Sequence, residues 1–183
     1  MRASASEPAG GDQQMGASAS EPALRVLFVC LGNICRSPMA EAATRAALID
    51  AGLDDRVEVD SAGIGDWHVG NPPDRRMAAA ALDSGIDLAG AARQVLADEL
   101  RRWDLILAMD RSNHARLLAM AHDDDVRRRI RMFRDFDPAD GDEVPDPYYG
   151  DAAGFAEVAS ICRSAADGLV GALGERLRSE TSG

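Results

Sequence analysis

The segment Val26-Leu27-Phe28-Val29-Cys30-Leu31-Gly32-Asn33-Ile34-Cys35-Arg36-Ser37-Pro38 constrains the chain more than any other stretch. Its first five residues are apolar, mostly β-branched or aromatic, as a central parallel strand requires. Ser37 is a helix-capping residue type, and Pro38 falls where an early helical residue can lack its N–H. Cys30 and Arg36 bracket a small-residue loop between strand and helix. A loop of this kind aims successive N–H groups inward beside a helix N-terminus, which makes a concave anion site of phosphate size.

A cysteine at the mouth of such a site is placed for nucleophilic chemistry. The thiolate is the reactive form, and a helix N-terminus with a neighbouring arginine favours it. Arg36 adds a planar fork that grips two phosphate oxygens together, which lysine cannot do. Attack on a phosphoryl group through a cysteinyl-phosphate suits this set.

The string C-L-G-N-I-C-R-S-P, residues 30–38, resembles the Cys-x5-Arg-Ser signature of the low-molecular-weight protein tyrosine phosphatases. The resemblance extends over about residues 24–178. It implies an α/β fold of three layers, with a four-stranded parallel sheet in the order 2-1-3-4 flanked by helices. It also implies that the phosphate-binding loop comprises Leu31, Gly32, Asn33, Ile34, Cys35 and Ser37 alongside Cys30 and Arg36.

A second chemical element lies in Val144-Pro145-Asp146-Pro147-Tyr148-Tyr149-Gly150-Asp151. A departing phenoxide needs a proton, and a carboxylic acid on a loop beside the phosphate site supplies it. Taken alone, an aspartate between prolines is more often a solvated turn residue. Asp140, Asp142 and Asp151 are nearby carboxylates, but only Asp146 sits in the D-P-Y-Y-G string, which is similar to the family's acid loop. The resemblance makes Asp146 the general acid.

Tyr148 and Tyr149 are the only tyrosines, and either can stack on a substrate ring. By the same resemblance Trp67 forms the opposing wall of the slot. Leu31 and Ile34 complete the lining. The family ties the loop asparagine, here Asn33, to serines matching Ser37 and Ser61, and Asn33 suits a left-handed turn in the loop. Ser37 is expected to donate to the Cys30 sulfur. Asp110 and Asn113, in M-D-R-S-N, match another family string near the loop, although helix capping accounts for both equally well. One departure stands out. Where the family often has a histidine joined to the loop's hydrogen bonds, this chain has Gly90, so other partners or a water must hold the loop.

The 183 residues suit one domain. Residues 1–23, rich in Ala, Ser, Gly, Pro and Glu with A-S-A-S-E-P-A written twice, read as a low-complexity tail. The domain is expected over 24–178, with a short C-terminal tail over 179–183. All twenty basic residues are arginine, which excludes a Walker phosphate loop. The formal net charge of −11 argues against a nucleic-acid partner. No apolar run reaches membrane-spanning length, and the N-terminus lacks a cationic region followed by an apolar one. A cytoplasmic monomer acting on phosphotyrosine proteins, and on small aryl phosphates, is the expected setting. The three cysteines fit a reducing compartment. No Cys-x2-Cys or His-x3-His pair offers a structural zinc site, and the mechanism needs no cofactor.

Along the chain, strands are expected at 26–30, 57–59, 103–109 and 127–133. Helices are expected at 37–51, 72–84, 97–102, 110–121 and 151–177, with loops over 64–71 and 135–149. This alternation implies a parallel sheet covered on both faces, with ligands at the carboxyl ends of the strands. Two other functions remain open. An arsenate reductase of the same fold would need further thiols, and Cys162 has no companion near residues 85–100. A non-catalytic phosphoprotein-binding module would need neither Cys30 nor Asp146.

Overall fold

A computed structural model describes residues 21–181. The tail expected over 1–23 lies outside the described residues up to position 20, as do residues 182–183. The elements run β1 Leu24–Cys30, α1 Arg36–Ala51, β2 Val57–Gly63, α2 Arg75–Asp83, β3 Leu105–Ala108, α3 Arg111–Met120, α4 Asp124–Arg129, β4 Ile130–Met132 and α5 Ala152–Thr181. The four strands are all parallel, in the order β2-β1-β3-β4, as the resemblance implies.

Strand periodicity divides the core in two. Val26, Phe28 and Cys30 face one hydrophobic cluster together with residues of α1, α2 and α5. Leu27 and Val29 face the other, with Ile106 and Ala108 of β3, Leu117 of α3 and Val126 of α4. Successive strand side chains point to opposite faces, so a strand covered on both sides must be apolar throughout. β1 pairs with β2 on one side and β3 on the other, which makes it the centre of the sheet. Its carboxyl end therefore opens where the strand order reverses, and the Cys30–Arg36 loop leaves from that point.

Several boundaries differ from the sequence reading for identifiable reasons. The expected strand over 127–133 is only Ile130–Met132, because Arg127–Arg129 finish helix α4. Asp123 caps α4 by accepting from the Val126 N–H at 2.9 Å. Asp124 and Asp125 then sit at its positive end and the three arginines at its negative end. The third strand is shorter than 103–109 and leaves Trp103 in the core beside it. The second strand continues to Gly63. The segment 97–102 is a 3₁₀ helix, and α5 continues past residue 177 to Thr181. α2 begins at Arg75, after Pro72 and Pro73, with Asp74 as its cap. In α3 the cap is Asp110, whose side chain accepts from the Asn113 N–H. Ser37 is no cap: α1 starts at Arg36, and Cys35 occupies the cap position without a side-chain hydrogen bond. The Ser37 hydroxyl is used inside the site.

Candidate active site

The chain between β1 and α1 curls so tightly that Asn33 takes a left-handed conformation, with φ of 57°. It is the only non-glycine residue with positive φ among the described residues. Asparagine tolerates this backbone better than other side chains of its size. Its amide also holds the curl from inside. Nδ2 donates to Ser37 Oγ and to Ser61 Oγ, both at 2.9 Å, and Oδ1 accepts the Arg93 N–H at 2.9 Å. Ser61 in turn donates to Glu41 Oε2 at 2.7 Å. These contacts are the partners left open by the missing histidine. Gly90 has φ of 97°, a conformation in which a histidine would be strained.

Cys30 lies at the bottom of the curl and is 3% exposed. Its sulfur accepts the Asn33 N–H at 3.2 Å and lies 3.0 Å from Ser37 Oγ. Ser37 Oγ also lies 3.3 Å from the Ala62 carbonyl. A hydroxyl has one proton, so it can donate to the carbonyl or to the sulfur but not to both. The backbone N–H groups of Gly32, Ile34 and Cys35 donate to no protein acceptor among the described residues. Free N–H groups around a curled loop at a helix N-terminus form an anion cradle.

Arg36 closes the cradle and is 3% exposed. Nη1 meets Asp110 Oδ2 at 2.6 Å and the Val144 carbonyl at 3.3 Å, while Nη2 meets Asp146 Oδ2 at 2.9 Å. Burial works against its charge, but the neighbouring Cys30, Asp110 and Asp146 more than offset this, and its pKa lies above the ordinary arginine value. Asp110 therefore has two roles. Oδ1 caps α3 through the Asn113 N–H at 2.6 Å, and Oδ2 orients Arg36. Asn113 is buried below, and its Oδ1 has no hydrogen-bond partner among the described residues.

Asp146, 110 residues away in sequence from Arg36, reaches the site because its loop is tied down on either side. Val144 N–H donates to the Met109 carbonyl at the end of β3 at 2.8 Å, and Tyr148 N–H donates to Asp146 Oδ1 at 3.1 Å. A cavity of about 320 Å³ lies above Cys30. Leu31, Gly32, Ile34, Cys35, Arg36, Trp67, Asp146, Tyr148 and Tyr149, all singled out from the sequence, share its wall with His68. His68 was not singled out. It packs so close over Gly32 that a Cβ there would lie 2.9 Å from its Cδ2. The only signal for it was its place beside Trp67 in D-W-H-V-G. Asn33, Ser37, Ser61, Asp110 and Asn113 lie outside that wall.

The other two cysteines differ from Cys30 in setting. Burial, followed by the charges of Asp74 and Cys30, raises the Cys35 thiol pKa to about 12. Cys162 in α5 is fully buried, and burial raises its pKa strongly. All three are free thiols. Among the described residues, no group of His, Cys, Asp and Glu is arranged to hold a metal ion, and no helix is long and apolar enough to cross a membrane.

Comparison with known proteins agrees with this geometry. Residues 25–181 match the family profile described as low molecular weight phosphotyrosine protein phosphatase. The low molecular weight protein-tyrosine phosphatase A of Mycobacterium tuberculosis is 47% identical over 161 residues, covering 86% of this chain and 96% of that protein. A putative low molecular weight protein-tyrosine-phosphatase of Synechocystis, slr0328, is 43% identical, covering 84% of this chain and 99% of its own length. Among solved structures, a protein tyrosine phosphatase from Entamoeba histolytica superposes with a TM-score of 0.80 at 36% identity, covering 83% of this chain and 97% of that one. YfkJ from Bacillus subtilis superposes with a TM-score of 0.77 at 40% identity, covering 84% and 96%. With residues 25–181 matched by the family profile and relatives up to 47% identical over most of their length, the chain belongs to the low molecular weight phosphotyrosine protein phosphatase family.

Proposed function

We propose that the protein hydrolyses phosphotyrosine on protein substrates, and small aryl phosphates, through a cysteinyl-phosphate. The observation that carries this reading is the convergence on one cavity of Cys30, three unpaired loop N–H groups, Arg36 and Asp146. Phosphate oxygens take the loop N–H groups and the Arg36 fork, where developing charge is stabilised by donors already in place. The Cys30 sulfur attacks phosphorus from below. Asp146 protonates the departing tyrosine oxygen, then accepts a proton from the water that splits the phosphocysteine. Ser37, 3.0 Å from the sulfur, donates to the thiolate as it leaves.

The ligand-free contact between Arg36 and Asp146 gives way in this scheme. The phosphate takes the fork, and the carboxyl group is freed to face the leaving oxygen. Trp67 is 60% exposed and Tyr149 97% exposed, which suits walls that cover a substrate ring only when one is bound. One chain holds every group the reaction needs, which supports action as a monomer. Reduction of arsenate by a thiol relay is disfavoured, because Cys162 is fully buried and its thiol is held protonated. The decisive experiment compares phosphate release from phenyl phosphate by wild type, Cys30→Ser and Arg36→Ala in the presence of a chelator. Activity should vanish in Cys30→Ser and nearly vanish in Arg36→Ala. Near-normal turnover in either variant would sink the mechanism.

A further inference from the structure

We infer that Arg76 is a positioning residue for Asp146, fastening the acid loop to the phosphate loop through Asp74. The inference rests on the phosphatase reading above. Asp74 joins three structures at once. Its N–H donates to the Ile34 carbonyl in the phosphate loop at 2.8 Å. Its carboxylate caps α2 through the Arg76 N–H at 2.8 Å. The same carboxylate takes Arg76 Nε at 3.0 Å and Nη2 at 2.8 Å, a side-on fork that fixes the guanidinium plane. These contacts hold the Asp74 carboxyl below the usual carboxylate range and the Arg76 pKa above its own.

The free end of Arg76 reaches the acid loop. Nη1 donates to the Tyr148 carbonyl at 3.0 Å. The guanidinium also lies 5.4 Å from the Tyr148 ring centre and 4.6 Å from that of Phe155 in α5. Tyr148 N–H then holds Asp146 Oδ1. A continuous path thus runs from the Ile34 carbonyl through Asp74, Arg76 and Tyr148 to the acid.

Its importance comes from what substrate removes. In the free site Asp146 is held by Arg36, but phosphate must take that fork. The acid loop is then held upstream by Val144 to Met109 and by Glu143 to Arg111 and Arg134, and downstream by Tyr148 to Arg76, two residues after Asp146. Among the described residues, no other hydrogen bond from outside the loop reaches residues 147–150; without Arg76 the downstream side keeps the Pro147–Gly150 turn, the tilted ring contact of Tyr148 with His68 and the join of Asp151 to α5. Lysine cannot replace it, since one ammonium cannot grip the Asp74 carboxylate in a fork and reach the Tyr148 carbonyl together.

The test is the dependence of kcat/KM on leaving group. A general acid contributes about a hundredfold or more where the leaving group is basic, so a misplaced one should cost about tenfold with phenyl phosphate. With dinitrophenyl phosphate, which leaves without a proton, Arg76→Met should stay within about twofold of wild type, as should Arg76→Lys. Arg76→Lys keeps the charge and should show the same split as Arg76→Met. In an Asp146→Asn background Arg76→Met should add no further loss, because the group it positions is already gone. Equal losses on both substrates, or a tenfold loss that persists in the Asp146→Asn background, would overturn the inference. If Asp146→Asn itself shows no dependence on leaving group, the acid assignment fails and takes the inference with it. A clear dependence in Asp146→Asn with none in Arg76→Met refutes the brace alone.

Discussion

Asn33→Ala probes the centre of the site with a magnitude that follows from the contacts. The Arg93 N–H loses its acceptor, and an unsatisfied backbone donor costs about 1–3 kcal/mol. Ser37 and Ser61 each lose one donor but keep other partners, at a net cost of about 0.5–1.5 kcal/mol each. Alanine at φ of 57° adds backbone strain of about 1 kcal/mol. The sum is about 3–7 kcal/mol, or on the order of 10–20 °C in melting temperature for a domain of this size. Asn33→Gly loses the same hydrogen bonds without the strain, so it should be more stable than Asn33→Ala by about 1 kcal/mol. Urea titrations of the three proteins read both differences directly. A loss below about 1 kcal/mol in Asn33→Ala would show that the hydrogen-bonded hub does not hold the loop. Asn33→Gly falling below Asn33→Ala would show that the left-handed turn is not under strain.

Peroxide should inactivate the enzyme in a form that a dithiol restores, by attack of the Cys35 sulfur on a Cys30 sulfenic acid with water leaving. Because burial pushes the Cys35 thiol up to about 12, this rescue should strengthen as pH rises through the neutral range, and Cys35→Ala should stay largely dead. Equal recovery of both proteins would refute it. The hydrogen bond from Arg76 depresses the Asp74 pKa, so its stabilising effect is present above the unfolded aspartate value of about 3.9 and is lost as pH falls through the folded value. The stability gap between wild type and Asp74→Asn should therefore close in acid, and a gap unchanged down to the lowest pH would contradict the pairing. Deleting residues 1–22 should leave melting temperature and phenyl phosphate turnover unchanged, since that segment has few apolar side chains to add to the core. A marked fall in melting temperature would reveal a docked tail.

The sequence by itself determined the central strand, the curl after it and the helix that follows. These rest on local chemistry: an apolar run, a Gly-Asn turn and a stretch of helix-forming residues ending at glycine. It also marked Asp146 between its prolines, although only the matched string raised that residue above the neighbouring aspartates. The sequence reading places no helix at α4: three aspartates before Val126 and three arginines after it suit one, but those arginines also fit a strand flank. What tertiary structure alone decided is which polar groups meet. Ser37 looked like a cap and instead faces the sulfur. Asp110 both caps α3 and grips Arg36. Glu41, Arg93 and Arg76 carried no signal of their own, and His68 only its place beside Trp67. Each takes its role from a partner brought close by the parallel sheet and its crossovers: Arg76 reaches a carbonyl 72 residues away, and Arg93 an asparagine 60 residues away. Backbone preference is a property of a few adjacent residues, so it can be read along the chain. A hydrogen bond between distant residues depends on where the folded sheet sets each of them, and no local pattern encodes that distance.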